Sequence, residues 1–458
     1  MKPIGLSEIA AVIEGEVEPA GHLDPMITGV VTDSRTVEKG ELFVGLPGAR
    51  CDGADFVDDA ARRGAGGVVA SRGLKTRCLV PRIVVRNPLS ALWELASWNR
   101  EQCPAVRVAV SGSAGKTTAR QMIHCVLETL GTGKQSPENF NNHVGLPLSL
   151  LRLDPEDRFA VLEVGVSGPG EMAPLGALAA PRVVVLTGTG RAHLGGFGSV
   201  EMLVREKARL LEAVSDGGLM VVPDACSGLL ESVSGRAVDV VRVGEGTSAD
   251  ISACDVSHEG DVLEFRIEQQ EFRLNVAGRH FLTAALSAVA VARWLGIADK
   301  DSAKALTGFR TARGRCRVEW GHAWTVIDDT YNASPESVLA ACELLGNWRT
   351  SGRRILILGD MAELGDEAEA CHAEIGGYAA RCGIEQLWAV GVWADRIASA
   401  AVECGMARDQ VHASRSIGAL KDGLGQRLEA GDTVLIKGAR RERMERVVAW
   451  LKETEDSA

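Results

Sequence analysis

The sequence predicts an α/β protein of two or three domains, built from parallel sheets with helices packed against them. Apolar runs of strand length alternate with helix-length stretches along almost the whole chain. Strands predicted in the last third end in Gly or a charged residue, where open α/β sheets hold their ligands. At 458 residues, the chain is too long for one ordinary hydrophobic core.

The composition narrows the class of protein and its partners. Hydrophobic residues at 46% and charged residues at 24% are typical of a soluble globular protein rather than a disordered one. The longest apolar runs are of strand length, so we expect no membrane span. A net charge of −11 argues against nucleic acid as a partner, because phosphate backbones need a basic surface.

The cysteines and the N-terminus indicate a cellular compartment. The eleven cysteines include no Cys-x-x-Cys pair, which argues against a zinc site or a disulfide framework and for reduced thiols. The first residues lack the long apolar segment of a secretory signal. We therefore expect a cytoplasmic protein.

The predicted strands fall into three blocks. The first contains the run at 67–70 between Gly- and Asp-rich turns, the second opens with the strand at 106–110, and the third contains the strand at 354–359. We take the blocks as domains of residues 1–102, 103–312 and 313–458.

A glycine-rich loop follows the strand at 106–110 and precedes a predicted helix. Glycines let backbone N–H groups converge on phosphates, and the helix N-terminus adds partial positive charge. Lys116 could reach the β- and γ-phosphates, and the Thr117 hydroxyl could join the shell of Mg²⁺. Val110 stands where the common phosphate-loop signature has Gly, so an ordinary strand-to-helix turn is the alternative. The residues predicted to bind ATP here are Gly112, Ser113, Ala114, Gly115, Lys116, Thr117 and Thr118.

The shortened loop resembles that of the Mur ligases, which build the peptide stem of bacterial cell walls. Further segments resemble the family in the same order along the chain: 32–35, 42–46 and 52–53, then 139–148, 192–199 with Lys207, 327–335 and 358–365. The resemblance implies a three-domain Mur ligase architecture. In it, a UDP-sugar-binding domain precedes a central phosphate-loop ATPase domain and a C-terminal Rossmann-like domain that binds the incoming dipeptide.

The resemblance also implies a reaction. The two segments at 327–335 and 358–365 are similar to those of the family members that add D-alanyl-D-alanine to UDP-N-acetylmuramoyl-tripeptide. ATP would phosphorylate the tripeptide carboxylate, and the dipeptide amine would displace phosphate from the acyl phosphate. ATP and Mg²⁺ are the implied cofactors, the UDP-linked tripeptide and the dipeptide are the implied partners, and we expect a monomer.

Four residues are implied as catalytic, namely Lys116, Glu163, His193 and Lys207. Thr117, Glu163 and His193 would be Mg²⁺ ligands, and the oxygen donors of Thr117 and Glu163 suit that ion. Lys207 would join them as a carbamate, formed with CO₂. The sequence alone also allows Glu163 to be a strand-end carboxylate in a surface pair, His193 to be structural and Lys207 to be an exposed helix lysine.

The resemblance places further residues on the substrates. Arg315 would lie near the γ-phosphate and Asp329 at the ribose, so the active site would form when the C-terminal domain closes. Arg315 also stands among other arginines, and a surface cluster is the alternative. The implied substrate-binding residues are Ser34, Arg35, Asn139, Asn142, Asn332 and Asp360. For Asp360, capping of a strand-to-helix turn is an equal alternative.

The sequence departs from the family pattern mainly at positions that are expected to contact the nucleotide. Phe281 and Ala284 replace two asparagines, of which the second normally recognises the adenine edge. Ala cannot make those hydrogen bonds, so we expect the protein to be less selective for adenine over other bases.

The alternatives to an amide-forming ligase of this specificity are a related ligase with a different amine substrate and a non-catalytic scaffold that binds the UDP-muramoyl-peptide.

Overall fold

The computed structural model describes residues 1–18, 24–48, 51–72, 79–192, 194–233 and 235–455. The strands are β1 (Ile4–Gly5), β2 (Glu16–Glu18), β3 (Met26–Ile27), β4 (Val30–Val31), β5 (Leu42–Val44), β6 (Gly67–Ser71), β7 (Arg82–Val85), β8 (Val106–Ser111), β9 (Gly133–Gln135), β10 (Phe159–Glu163), β11 (Val183–Leu186), β12 (Leu219–Pro223), β13 (Asp239–Gly244), β14 (Ile251–Ser252), β15 (Cys254–Glu259), β16 (Val262–Ile267), β17 (Gln270–Leu274), β18 (Arg317–Trp320), β19 (Thr325–Asp329), β20 (Arg354–Gly359), β21 (Gln386–Val390), β22 (Val411–Ser414) and β23 (Thr433–Lys437). The helices are α1 (Leu6–Val12), α2 (Val57–Arg62), α3 (Pro88–Glu101), α4 (Lys116–Leu127), α5 (Gly145–Leu151), α6 (Met172–Ala179), α7 (Leu194–Phe197), α8 (Val200–Glu212), α9 (Leu282–Trp294), α10 (Asp299–Thr307), α11 (Pro335–Gly346), α12 (Ala368–Arg381), α13 (Ala394–Glu403), α14 (Ile417–Gly425) and α15 (Glu445–Glu455).

The N-terminal sheet has the strand order β2-β7-β6-β5-β4, parallel except for β2 at its edge. Helix α3 follows it and begins sharply, because the Asn87 side chain accepts hydrogen bonds from two first-turn amides and Pro88 suits a position that needs no N–H. Near the other end, Asn99 donates to the carbonyl oxygens of Leu150 and Leu153. Helix α3 therefore packs against the central part of the chain.

The central sheet is parallel, with the strand order β14-β13-β12-β11-β8-β10-β9. Both of its faces are covered: Val108 and Val110 of β8 pack in a cluster with α4 and α9, while Ala109 packs in a second cluster with α5. This explains why β8 is apolar at successive positions. From β8 the chain passes through α4 to one side of the sheet and later reaches β11 on the other side. The end of β8 is therefore a topological switch point, where such sheets bind ligands.

The C-terminal sheet has the order β18-β19-β23-β20-β21-β22 and is parallel except for β18. Its register places Asp329, the last residue of β19, beside Lys437, the last residue of β23. Helix α11 starts directly afterwards, where Ser334 and Ser337 form a capping box and Pro335 occupies the first turn. Polar groups are thereby gathered at one edge of the sheet.

The prediction of an α/β fold with parallel sheets is confirmed. The three main sheets lie within residues 16–85, 106–252 and 317–437, inside the three predicted blocks. The boundaries at 102 and 312 stay predictions. Among the described residues, no helix has both the length and the apolar character needed to cross a membrane.

Candidate active site

A cavity of about 910 Å³ lies between the central and C-terminal sheets. The phosphate loop and the segment before α5 form one wall, and residues after β19 and β23 form the facing wall. A ligand bound in this cavity would touch both parts of the chain, and its fit would depend on how they are placed relative to each other.

The phosphate loop takes a conformation that requires glycine. Gly112 has φ +146°, and a Cβ atom there would overlap Thr187 Oγ1; Gly115 has φ +78°. Helix α4 begins at Lys116, and its first residues line the cavity, so the partial positive charge of the helix N-terminus lies at this wall. Lys116 Nζ donates to the Gly112 carbonyl oxygen at 2.8 Å, and burial, with nearby Arg315, lowers the pKa of Lys116. The loop therefore has the geometry of a phosphate site.

Glu163 ends strand β10 and is 3% exposed. Its Oε2 atom accepts a hydrogen bond from Thr117 Oγ1, and its Oε1 atom accepts one from Asn141 Nδ2, both at 2.9 Å. The alternative of a strand-end carboxylate in a surface pair is therefore excluded. Glu163 and Thr117 together present hard oxygen atoms beside the phosphate loop, a donor set that fits Mg²⁺.

No group of three or more His, Cys, Asp or Glu side chains that could hold a metal occurs among the residues described. Mg²⁺ is commonly held by one or two carboxylates plus substrate phosphates and water. His193 lies outside the described residues.

Lys207 is buried on α8, with 2% of its surface exposed. Its Nζ atom donates to Ser113 Oγ at 2.8 Å. Burial, with the charge of Lys116 nearby, lowers the pKa of Lys207 to about 7. The alternative of an exposed helix lysine is wrong, because the side chain is buried and bonded to Ser113.

Arg315 reaches from the C-terminal part of the chain to the phosphate loop. Its Nη2 atom donates to Thr117 Oγ1 at 2.9 Å, and its guanidinium lies 4.0 Å from the centre of the Tyr331 ring. The alternative of a surface arginine cluster is excluded for this residue. Arg315 therefore brings a positive charge from the C-terminal part of the chain to the phosphate loop.

Asp329 is held by its neighbours on the C-terminal wall. Lys437 Nζ donates to Asp329 Oδ2 at 2.6 Å and to the Asn332 carbonyl oxygen at 2.9 Å. The Cys316 backbone N–H donates to the other oxygen, Asp329 Oδ1, at 3.3 Å. Lys437 therefore orients two residues that the sequence predicts to be functional, Asp329 and Asn332.

The structure brings only some of the predicted substrate-binding residues to the cavity. Asn139, Asn142 and Asn332 line it. Asp360 is buried elsewhere, where its two carboxylate oxygens accept hydrogen bonds from the Val392 and Trp393 amides. This geometry matches the turn-capping alternative for Asp360.

The predicted residues of the N-terminal domain lie away from the cavity lining. Ser34 and Arg35 belong to a short 3-10 helix at Ser34–Thr36, and Arg35 pairs with Asp33. The Asp33 carboxylate also accepts the Arg35 backbone N–H, and these hydrogen bonds lower the pKa of Asp33 to about 2.

Comparison with protein families identifies all three parts of the chain. Three models match: "Mur ligase family, catalytic domain" at residues 26–100, "Mur ligase middle domain" at 110–292 and "Mur ligase, glutamate ligase domain" at 314–440. The chain belongs to the Mur ligase family. The three-domain Mur ligase architecture with a central ATPase domain is thereby confirmed.

Curated Mur ligases and solved structures resemble the chain over its full length. It is 32% identical to the UDP-N-acetylmuramoyl-tripeptide–D-alanyl-D-alanine ligase of Escherichia coli, covering 99% of both chains, and 32% identical to that of Bacillus subtilis, covering 98% of both. A MurF crystal structure from Acinetobacter baumannii superposes with a TM-score of 0.88 at 28% identity, covering 99% of both chains. MurF ligase from Thermotoga maritima in complex with ADP superposes with a TM-score of 0.79 at 27% identity, covering 94% of this chain and 98% of that one.

The end of the cavity beside α9 differs from the Mur ligase pattern. Phe281 and Ala284, which stand where asparagines are usual, both line the cavity and carry no side-chain donor or acceptor. The His280 ring also faces the cavity, and burial within the protein lowers the pKa of His280 to about 4. At neutral pH the polar side chains at this end thus include an uncharged imidazole.

Sequence reasoning missed several residues that the structure places at the Mur ligase site. Asn141 stood within the recognised segment 139–148, and its contact with Glu163 could have been anticipated from that position. Arg120 gave no signal: it is buried on α4, and it binds the carbonyl oxygens of Ser136 and Glu138 in the loop that leads to Asn139. Spacing along the chain does not predict such a long reach.

Proposed function

We propose that this chain catalyses ATP-dependent amide bond formation, adding D-alanyl-D-alanine to UDP-N-acetylmuramoyl-tripeptide in peptidoglycan precursor synthesis. The observation that carries the proposal is the full-length similarity to ligases of that name, in a chain whose phosphate loop faces a cavity shared with its C-terminal domain. The MurF neighbour in complex with ADP supports a nucleotide in this fold.

In this proposal the phosphate loop holds ATP. The backbone amides of residues 112–118 and the Lys116 side chain contact the β- and γ-phosphates, while Arg315 approaches the terminal phosphate from the other wall. ATP and a substrate carboxylate are both anionic, so their approach requires concentrated positive charge. Lys116 and Arg315 provide part of it from the protein, and Asp329 would contact the ribose.

Thr117 would hold one Mg²⁺, and Glu163, His193 and a carbamylated Lys207 would serve a second ion. Mg²⁺ supplies charge neutralisation at the transferred phosphoryl group. A neutral Lys207 amine can attack CO₂, and loss of one proton from the nitrogen leaves an anionic carbamate. The lowered pKa of Lys207 supports this step, because an ammonium group has no lone pair for it.

The proposed reaction has two chemical steps, as the resemblance to the Mur ligases implies. The terminal phosphoryl group passes from ATP to the tripeptide carboxylate, which gives an acyl phosphate and ADP. The dipeptide amine then attacks the acyl carbon, phosphate leaves and the amine loses a proton, so an amide forms. Water must be kept from the acyl phosphate, and enclosure of the cavity by the C-terminal domain would serve that purpose.

The remaining assignments are also proposals. Asn139, Asn142 and Asn332 would contact substrate in the cavity. Ser34 and Arg35 would contact the UDP-sugar on the N-terminal domain. The hydrogen bonds of Asp360 to the Val392 and Trp393 amides favour a role in stabilising that turn over direct contact with a substrate. The domains would span 1–102, 103–312 and 313–458, in a cytoplasmic monomer.

The proposal is tested by measuring phosphate release from purified protein with ATP or GTP. We expect release that requires UDP-N-acetylmuramoyl-tripeptide and D-alanyl-D-alanine together, with mass spectrometry detecting the joined product. Tight binding of the UDP-linked tripeptide without turnover would contradict the proposal and favour the scaffold. Turnover only with another amine would favour the related ligase.

A further inference from the structure

Arg191 joins the central domain to two helices of the C-terminal domain. Its backbone N–H and Nε donate to Glu336 Oε1 of α11 at 2.9 and 3.2 Å. Its Nη1 and Nη2 atoms donate to the two carboxylate oxygens of Glu374 on α12, at 2.5 and 3.2 Å. One residue therefore binds two glutamates, more than 140 positions away along the chain, that belong to different elements.

The same segment is bonded to the catalytic side of the cavity. Gly190, directly before Arg191, donates its amide to Ser113 Oγ at 2.8 Å and accepts from that hydroxyl at 2.9 Å. Lys207 Nζ donates to the same Ser113 oxygen at 2.8 Å. A continuous series of hydrogen bonds thus leads from Glu336 through Arg191 and the adjoining peptide to the phosphate loop and Lys207.

The fit between the two domains is close at this point. A Cβ atom on Gly190 would lie 2.6 Å from Glu336 Cδ, and one on Gly195 would lie 2.8 Å from Gly365 N. The Gly195 amide donates to the Glu363 carbonyl oxygen at 2.9 Å. This arrangement requires small residues on the central-domain side and places the two backbones in direct contact. The contacts of Gly190, Arg191 and Gly195 with the C-terminal domain can form only while the two domains lie against each other.

We propose that Arg191 is a positioning residue that couples closure of the C-terminal domain to the placement of Ser113 and Lys207. When the domains close, the Glu336 and Glu374 carboxylates bind Arg191 and hold the peptide at Gly190. That peptide in turn holds the Ser113 hydroxyl, and through it the phosphate loop and Lys207. Because substrates bind in a cavity with walls from both domains, we expect the domains to separate and close in each catalytic cycle, and the coupling acts when they close.

The geometry distinguishes this cluster from an ordinary surface ion pair. An isolated exposed pair changes an equilibrium by at most about fivefold, because solvent screens it and long side chains lose freedom. Arg191 is 28% exposed, binds the two oxygens of Glu374 with a forked geometry and is tied by its own backbone amide to Glu336. A larger effect is therefore expected from its removal.

The inference rests on the proposed function for its kinetic test. In Arg191→Ala we expect kcat to fall about tenfold, while the KM for the UDP-linked tripeptide changes less than about twofold because its UDP end is expected on the N-terminal domain. Glu374→Gln should lower kcat about threefold in the parent protein and have no further effect in Arg191→Ala, since the two residues act together. The matched control is Arg242→Ala, which removes a similarly exposed arginine paired with Asp250 inside the central domain.

X-ray scattering gives a readout that does not depend on turnover. With a non-hydrolysable ATP analogue and the UDP-linked tripeptide, Arg191→Ala should have a larger radius of gyration than the parent protein and Arg242→Ala. Unchanged kcat and scattering in Arg191→Ala, or additive losses in the double variant, would overturn the inference. If Arg191→Ala does not fold, the kcat and scattering of Glu374→Gln test the inference instead. An inactive parent protein would contradict the proposed function, and the scattering comparison would still test the coupling.

Discussion

At the scale of single residues, burial decides the chemistry of Lys207. The sequence placed it beside Arg205 and Glu206, which is typical of a solvated helix face. Helix α8 instead turns it inward to Ser113, and burial lowers its pKa to about 7. No local pattern distinguishes this lysine from its neighbours, and only the family resemblance indicated a function. Burial therefore favours the neutral form of this amine, the form that the proposed carbamate requires.

The shifted pKa predicts how stability depends on pH. Between about pH 7 and the ordinary lysine pKa of 10.5, the unfolded chain binds a proton at Lys207 that the folded protein does not. Stability therefore rises with pH across this window and falls as pH drops toward 7. We expect the free energy of unfolding of the parent protein, relative to Lys207→Met, to increase from pH 7 to pH 10 in urea titrations in CO₂-free buffer.

The exposed helix lysine Lys304 provides the control for this experiment. Lys304→Met should differ from the parent protein by a nearly constant amount over the same pH range. If Lys207→Met shows the same constant difference, then Lys207 is protonated in the folded protein and the account of its reactivity is wrong.

At the scale of elements, the parts of the site that were predictable are those formed by contiguous residues. Lys116 and Thr117 follow a buried strand and begin a helix, so their role could be inferred from the order of residues alone. Arg315 contacts Thr117 across 198 positions of sequence, which no spacing rule predicts. The pairing of Asp329 with Lys437 depends on strands β19 and β23 being neighbours, although α11 to α14 lie between them in sequence.

The start of helix α9 predicts how strongly the protein selects ATP over GTP. Its first turn presents Ala284 to the cavity, and Ala offers no hydrogen bond to a purine edge. We expect the parent protein to prefer ATP over GTP by less than about tenfold in kcat/KM. Ala284→Asn should increase that preference by about tenfold, because a paired hydrogen bond to adenine would be gained and guanine would be mismatched.

A second alanine of the cavity wall serves as the comparison. Ala340 lies on α11 of the C-terminal domain, and Ala340→Asn adds the same amide on the other wall. It should leave the ATP to GTP ratio unchanged. A parent protein that already selects ATP strongly would show that main chain or other side chains read the base, and that the substitutions near Phe281 are without consequence.

At the scale of the whole molecule, the sequence was sufficient for the α/β class and for three blocks that contain the main sheets. It did not predict which residues of the three blocks contact each other. Gly195 and Gly365 approach each other closely, but the recognised segments that contain them do not predict this contact. Arg191, which binds two glutamates of the C-terminal domain, lies outside the recognised segments. Contacts between domains depend on surfaces formed only after each domain has folded.

The central claim is that the chain forms an amide through an acyl phosphate, and oxygen transfer tests it most directly. UDP-N-acetylmuramoyl-tripeptide labelled with ¹⁸O in its terminal carboxylate is incubated with the protein, ATP and D-alanyl-D-alanine, and the released phosphate is analysed by mass spectrometry. One carboxylate oxygen becomes the bridging atom of the acyl phosphate and leaves with phosphate, so we expect one ¹⁸O atom in each phosphate released. Release of unlabelled phosphate, or none at all, would contradict the account.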